Sequence, residues 1–329
     1  MRSKAIFSAV IFFILFLSEA PALENIWFSA TPPDKISKKI HYGMRGQAYI
    51  KDEDGREKKF LWIKSGNFPV ESPYTDHTSR KKPVFFILSP DKKLIKGELS
   101  HGLPGYYLTF EGNLEGFYNL YLIEKFVKKE ILNIITAKAE VISHKCSRGH
   151  GGMKKKMETK ILKQAICFEI LRKRIPGEDF HTFLSSGDKA TFKVFFNGTP
   201  LKDSKITFKT QKGWSKSLWT DINGEAVFQI IGDYYPDWKK LNRKKIHTFL
   251  ITAEHTVKKT GIYKEIVYKQ IHYTGTLKGC YIPSKALYSS SLHGFFLLIF
   301  IIITTAGFIY FHRTRRKKLF KEYTFNEKD

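Results

Sequence analysis

Cysteine is scarce: Cys146, Cys167 and Cys280 are the only three in 329 residues. They allow at most one intramolecular disulfide, which excludes a small scaffold stapled by several bridges. Acidic residues are also few, with Asp+Glu 31 against Lys+Arg 56 and a formal net charge of +25. The common catalytic signatures are missing. There is no G-x-S-x-G nucleophile turn, no P-loop, no H-E-x-x-H helix and no dinucleotide fingerprint. The expectation is a protein that is not an enzyme.

Long apolar runs are confined to the two ends. The first, Ala5 to Leu17, follows Arg2 and Lys4 and is shorter than the ~20 residues of a membrane span. Ala20-Pro21-Ala22 puts small residues at the −3 and −1 positions of a cleavage site. This predicts a signal peptide over residues 1–22, with an uncleaved N-terminal anchor as the alternative. The second run, Leu292 to Phe311, has no charge from Phe295 onward and is followed by five Arg/Lys between Arg313 and Lys318. It predicts a transmembrane helix over 292–312 and a basic cytoplasmic tail over 313–329. The chain is thus expected to cross a cell membrane once, with its N-terminus outside and its C-terminus in the cytoplasm. An exported domain rarely meets nucleic acid, so the positive charge reads as lysines on solvent faces, with attraction to an anionic membrane surface as a secondary effect.

Between the ends the pattern is β. Short runs of Phe, Tyr, Ile and Val are separated by Gly, Pro, Asn and Asp. In Glu130–Ser143 the odd positions Ile135, Ala137, Ala139 and Val141 form an apolar face, and the even positions Thr136, Lys138 and Glu140 a polar one. Period two predicts one face on a core and the other in water. Residues 23–143 read as an N-terminal β domain. The Gly- and Lys-rich stretch over 144–176 reads as an exposed loop and connecting segment. Residues 177–284 read as an immunoglobulin-like sandwich, with turns at Asn197-Gly198 and at Asp221-Ile222-Asn223-Gly224. The expected fold class is all-β: two β-sandwich ectodomains plus one C-terminal transmembrane helix.

The order Asn197-Gly198-Thr199-Pro200-Leu201, then Thr220-Asp221-Ile222-Asn223-Gly224, then Phe249 to Ala253 resembles carboxypeptidase-regulatory-like sandwich modules. Across both halves, Gly116 to Tyr121, Ala137 to Glu140 and His272 to Leu277 are similar to a bacterial exported family linked to nickel and cobalt uptake, the NikM-like periplasmic components. The resemblance implies a periplasm-facing accessory held in the bacterial inner membrane. It further implies Ni²⁺ or Co²⁺ as the bound ion and metal-transporter membrane subunits as partners.

His144-x-Cys146-x3-His150 is the chemical constellation that fits such a role, since imidazole and thiolate suit Ni²⁺, Co²⁺, Cu or Zn²⁺. A Cys146–Cys167 disulfide is the competing use of that thiol. His255 falls on the apolar side of its strand and reads as a core or edge histidine, and His181 lies between Phe180 and Phe183. Asp221-x-Asn223-Gly224 has the look of a calcium loop, but turn chemistry explains it. The function expected from these features is binding in divalent-metal uptake. The alternative is an envelope structural or adhesion module built from tandem sandwiches.

Overall fold

The computed structural model describes residues 25–30, 40–43, 47–51, 57–66, 68, 83–102, 105–144, 166–233 and 245–317. The expected signal peptide, Cys146 and His150 lie outside the described residues.

The strands in chain order are β1 (Asn25–Ser29), β2 (His41–Tyr42), β3 (Ala48–Lys51), β4 (Glu57–Gly66), β5 (Val84–Leu88), β6 (Leu94–Ile95), β7 (Glu98–Gly102), β8 (Gly105–Glu111), β9 (Gly116–Lys128) and β10 (Ile131–Ser143). There follow β11 (Phe168–Arg172), β12 (Leu184–Ser185), β13 (Lys189–Phe196), β14 (Thr199–Pro200), β15 (Lys205–Thr210), β16 (Ser215–Trp219), β17 (Glu225–Gln229), β18 (His247–Tyr263) and β19 (Ile266–Ile282). One helix, α1 (Lys285–Lys317), comes last. Among the described residues the fold is all-β, with two β-sandwiches and one apolar C-terminal helix, the class that the alternating pattern predicts. Asn197 and Gly198 both have positive φ (49° and 76°), as a two-residue Asn-Gly turn requires. Lys129-Glu130 and Lys264-Glu265 adopt the same left-handed pair without a glycine, which no turn signal in the sequence marks.

The two sandwiches share a sheet. A nine-stranded sheet runs β16-β15-β18-β19-β10-β9-β5-β6, with β12 on β19. A six-stranded sheet (β2-β3-β4-β8-β7, with β1 on β4) covers one part of it, and a four-stranded sheet of β11, β13, β14 and β17 covers another. The first core takes Ile26, Phe28, Ile63, Leu108 and Phe110 from the six-stranded sheet, and Leu120, Leu122, Ile135, Ala137 and Val141 from β9 and β10. The second takes Phe168, Phe192, Val194 and Phe228 from the four-stranded sheet, and Phe208, Phe249, Ile251, Ile271 and Leu277 from the shared one. Residues expected in two separate domains meet in one ladder: β10 pairs with β19 in parallel, from Ile131↔Gln270 to Lys138↔Leu277.

Strand β10 feeds both cores from opposite faces. Its odd residues Ile135 to Val141 enter the first core, while Leu132 enters the second. Because side chains alternate along a strand, the two covering sheets lie on opposite faces of the shared one. The even face of β10 is therefore not the solvent face that its polar residues imply. Thr136 and Lys138 are buried, because β11 crosses over them.

The β strands form one compact unit and α1 belongs to a second. The stretch Leu292–Arg316 of α1 is long and apolar enough to cross a membrane, with 25 residues, about 37 Å at ~1.5 Å per residue. Its Thr304 and Thr305 hydroxyls donate back to the carbonyls of Phe300 and Ile301, so the helix satisfies its own polar groups. The helix continues past the expected end at 312, carrying Arg313, Arg315 and Arg316 on its last turns.

Candidate functional site

Of the expected metal ligands, His144 alone falls within the described residues; Cys146 and His150 lie outside them. His144 follows β10 directly, and its ring is buried 5.0 Å from the Phe180 ring and 5.3 Å from His181. Its Nδ1 lies 3.8 Å from Glu115 Oε1. The Phe180 beneath it is fully buried with Phe117 and Ile142, which explains why this histidine is turned inward. Among the described residues, no group of three or more His, Cys, Asp or Glu is arranged to hold a metal ion. Cys167 is exposed. His255 packs between Phe168 and Phe196, and burial followed by the charge of His272 lowers its pKa. It is a partly buried edge histidine. Asp221 accepts the backbone N–H groups of Asn223 (2.9 Å) and Glu225 (2.7 Å), so its carboxylate serves its own turn.

A charged seam fills the space between the even face of β10 and the β11 region. Lys138 Nζ donates to Glu169 Oε1 at 2.5 Å, and the Tyr121 hydroxyl donates to the same oxygen at 2.8 Å. Burial, then the charge of Glu169, pushes the Tyr121 phenol well above its usual range. Next along the seam, Arg172 and Arg174 both donate to Glu178, and Arg174 also donates to Glu140. The Arg174 guanidinium lies 4.0 Å from the centre of the Phe117 ring. Burial alone would raise the Glu178 pKa; the Arg172 hydrogen bond and the charges of Arg172 and Arg174 outweigh it and hold the carboxyl below its ordinary value.

At the end of the seam β10 and β19 part. Their parallel ladder stops at Lys138↔Leu277, after which β10 continues against β9 and β19 against β18, with the short β12 also paired to β19. A cavity of about 440 Å³ occupies this fork, between Ala139–Ile142 of β10 and Leu277–Cys280 of β19. Diverging parallel strands leave such a crevice at their carboxyl ends, where neither backbone can bridge to the other. Strand β1 closes one side: the Thr276 hydroxyl donates to the Ile26 carbonyl at 2.5 Å. Trp27, Phe249 and Leu277 supply apolar wall.

The polar wall is rich in donors. Lys278 Nζ donates to Ser29 Oγ at 3.2 Å and has no carboxylate partner among the described residues. Burial, then the like charge of Lys64, lowers its pKa to about 8. Gln47 Nε2 and Arg174 Nε also line this space, buried and without a hydrogen-bond partner among the described residues. Gln47 comes to the fork because β3 and β1 pair with successive stretches of β4 along the same edge. Gly279 keeps the wall open, since a Cβ there would lie 2.2 Å from the Phe249 ring. Lys278, Gln47 and Arg174 stand far apart in the chain and form no motif, so sequence reading passes over them. The one local signal is the alternation in β19 that puts Lys278 and Cys280 on one face.

No family model matches the chain, and no curated protein matches it. Three solved structures are similar to it at low identity. One is a DUF4785 family protein from Legionella pneumophila, 14% identical, over 60% of this chain and 48% of that one, with a TM-score of 0.19. Another is the BSP domain of a biofilm associated protein, 7% identical, over 72% of this chain and 29% of that one, TM-score 0.17. The third is the D0-D1 domain of intimin, 13% identical, over 69% of this chain and 92% of that one, TM-score 0.19. At these scores the fold assignment rests on the sheets and cores themselves.

Proposed function

We propose that the chain is a membrane-tethered, extracytoplasmic binding protein, not an enzyme, with the fork between β10 and β19 as its binding site. The observation that carries this reading is the fork cavity, walled by aromatic and aliphatic side chains and by buried donors without acceptors. Pockets that hold small molecules combine these two features. The apolar stretch Leu292–Arg316 supports the tether, and the Arg/Lys cluster after it supports a cytoplasmic C-terminus. Fusions after Asp329 test the orientation. A fluorescent protein should glow there and alkaline phosphatase should stay inactive; active phosphatase would reverse the topology.

A role in nickel or cobalt uptake is the second reading, and it rests on the resemblance and on His144, the one expected ligand among the described residues. Full-length chain purified from medium containing Ni²⁺ or Co²⁺ should then retain the ion, and a His144/Cys146/His150 triple-alanine variant should lose it. Equal metal content in the two would remove that site and, with it, the case for transporter subunits as partners.

A further inference from the structure

We propose that the fork binds a small organic anion, with a carboxylate or phosphate held by Lys278, Gln47 and Arg174 and an apolar body lying against Trp27, Phe249 and Leu277. The inference rests on the fork being a binding site and specifies what enters it.

The first argument is the mismatch of donors and acceptors. Among the described residues Glu140 is the one carboxylate in the wall, and Arg174 engages its Oε2. Arg172 is engaged by Glu178. Those pairs neutralise each other, while Lys278 has only a hydroxyl partner among the described residues. A buried donor without an acceptor is a standing cost to the fold, and a buried cation without a counter-charge a larger one. A ligand rich in acceptors and carrying negative charge relieves both. A cation would meet Lys278 and Lys64 and be repelled.

The second argument is size and lining. The volume of about 440 Å³ falls within the roughly 300–1,000 Å³ of small-molecule pockets. A bare inorganic anion would satisfy the donors but leave the aromatic wall uncovered. Trp27 is buried, held edge-on by Phe68 at 5.7 Å, so that wall is preformed. An anion with a short alkyl or aryl group uses both halves of the site.

The third argument is the depressed basicity of Lys278. The amine is desolvated and faces Lys64 from β4, with Cys280 beside it on β19 and Glu140, Arg172 and Arg174 in the same wall. An entering anion favours the protonated amine, so binding should take up protons from about pH 8 upward and weaken as pH rises through that range.

The test is calorimetric titration of the detergent-solubilised full chain with four probes of one length: hexanoate, hexyl phosphate, hexanol and hexylammonium. At least one anion should bind about tenfold or more tighter than hexanol, the one that does naming the carboxylate or phosphate class. Lys278→Gln should weaken that anion by about tenfold and leave hexanol unchanged. If Lys278→Gln does not fold, Gln47→Leu decides, with a loss of several-fold expected. Hexanol or hexylammonium binding as tightly as the anions would overturn the anion assignment and keep the fork as a site. Binding of none of the four at millimolar concentration would remove both, and anion affinity unchanged in the decisive variant would place the anion elsewhere.

Discussion

Lys138 of β10 and Glu169 of β11 form an ion pair at 2.5 Å with both side chains closed to water. The pair joins the shared sheet to the four-stranded sheet that covers it, and the Tyr121 hydroxyl completes it. Breaking such a pair on one side strands a buried charge, whereas replacing both sides by apolar groups removes the desolvation penalty together with the attraction. Lys138→Met should therefore cost about 3–5 kcal/mol, and Lys138→Met/Glu169→Leu should recover most of it. Urea unfolding of the full chain, followed by tryptophan fluorescence, measures both. A double variant as unstable as the single one would show that the pair contributes through its charges.

Glu178 supplies an acid-sensitive element. Its folded pKa lies below the ordinary 4.5 because the Arg172 and Arg174 interactions outweigh burial. A depressed carboxyl stabilises the fold fully above its unfolded pKa, and that contribution is lost as pH falls through the folded value. Stability of the natural chain should thus fall below about pH 4.5 more steeply than that of Glu178→Gln, whose stability is lower at neutral pH. Melting temperatures taken from pH 3 to 7 in parallel check this; parallel curves would argue against it.

Lys278 acts with the opposite sign. Its pKa drops from 10.5 to about 8 on folding, so below about 8 the folded chain carries an ammonium ion that the unfolded chain carries at less cost. The penalty is present below the folded pKa and disappears as pH rises to 10.5. Lys278→Met should melt higher than the natural chain at pH 7, by a margin that narrows toward pH 10. A margin independent of pH would mean that the lysine is not strained in the fold.

Gly279 is a steric requirement. The Cβ of Gly279→Ala would lie 2.2 Å from the Phe249 ring, which is itself packed 4.7 Å from the Phe208 ring. Displacing a ring in a packed core costs about 1–3 kcal/mol. In contrast, Gly294→Ala meets nothing within 4 Å and should be neutral or slightly stabilising for the helix. Comparing the two variants by thermal unfolding tests the contact.

The fold class was legible because local patterns carry it. The odd positions of β10 alternate cleanly, Asn197-Gly198 marks a left-handed turn, and the run from Phe295 to Phe311 stands out by composition alone. The even face of β10 was misread for a physical reason. Lysine on a strand normally marks water, and only the passage of β11 overhead, with Glu169 at the right register, buries Lys138. The parallel pairing of β10 with β19 was not legible at all. Both strands read as ordinary half-buried strands, and nothing local says that the two prefer each other. Since the fork exists only because that ladder ends, its residues were hidden for the same reason. His144 stands out in the sequence, but its surroundings, Phe180, His181 and Glu115, are supplied by other segments.

The ladder between β10 and β19 also dictates an order of events during synthesis. Strand β10 is complete once Ser143 has been made, yet its partner does not exist until Ile282, just before the last helix. Throughout that interval the edge of β10 presents unpaired backbone groups beside an apolar face, the situation in which sheets pair wrongly with other chains. Long-range pairing of this kind also closes slowly. The maturing chain should therefore pass through a half-built state whose open edge is protected only when the final strand zips into place, which makes residues 270–277 the closing step of folding.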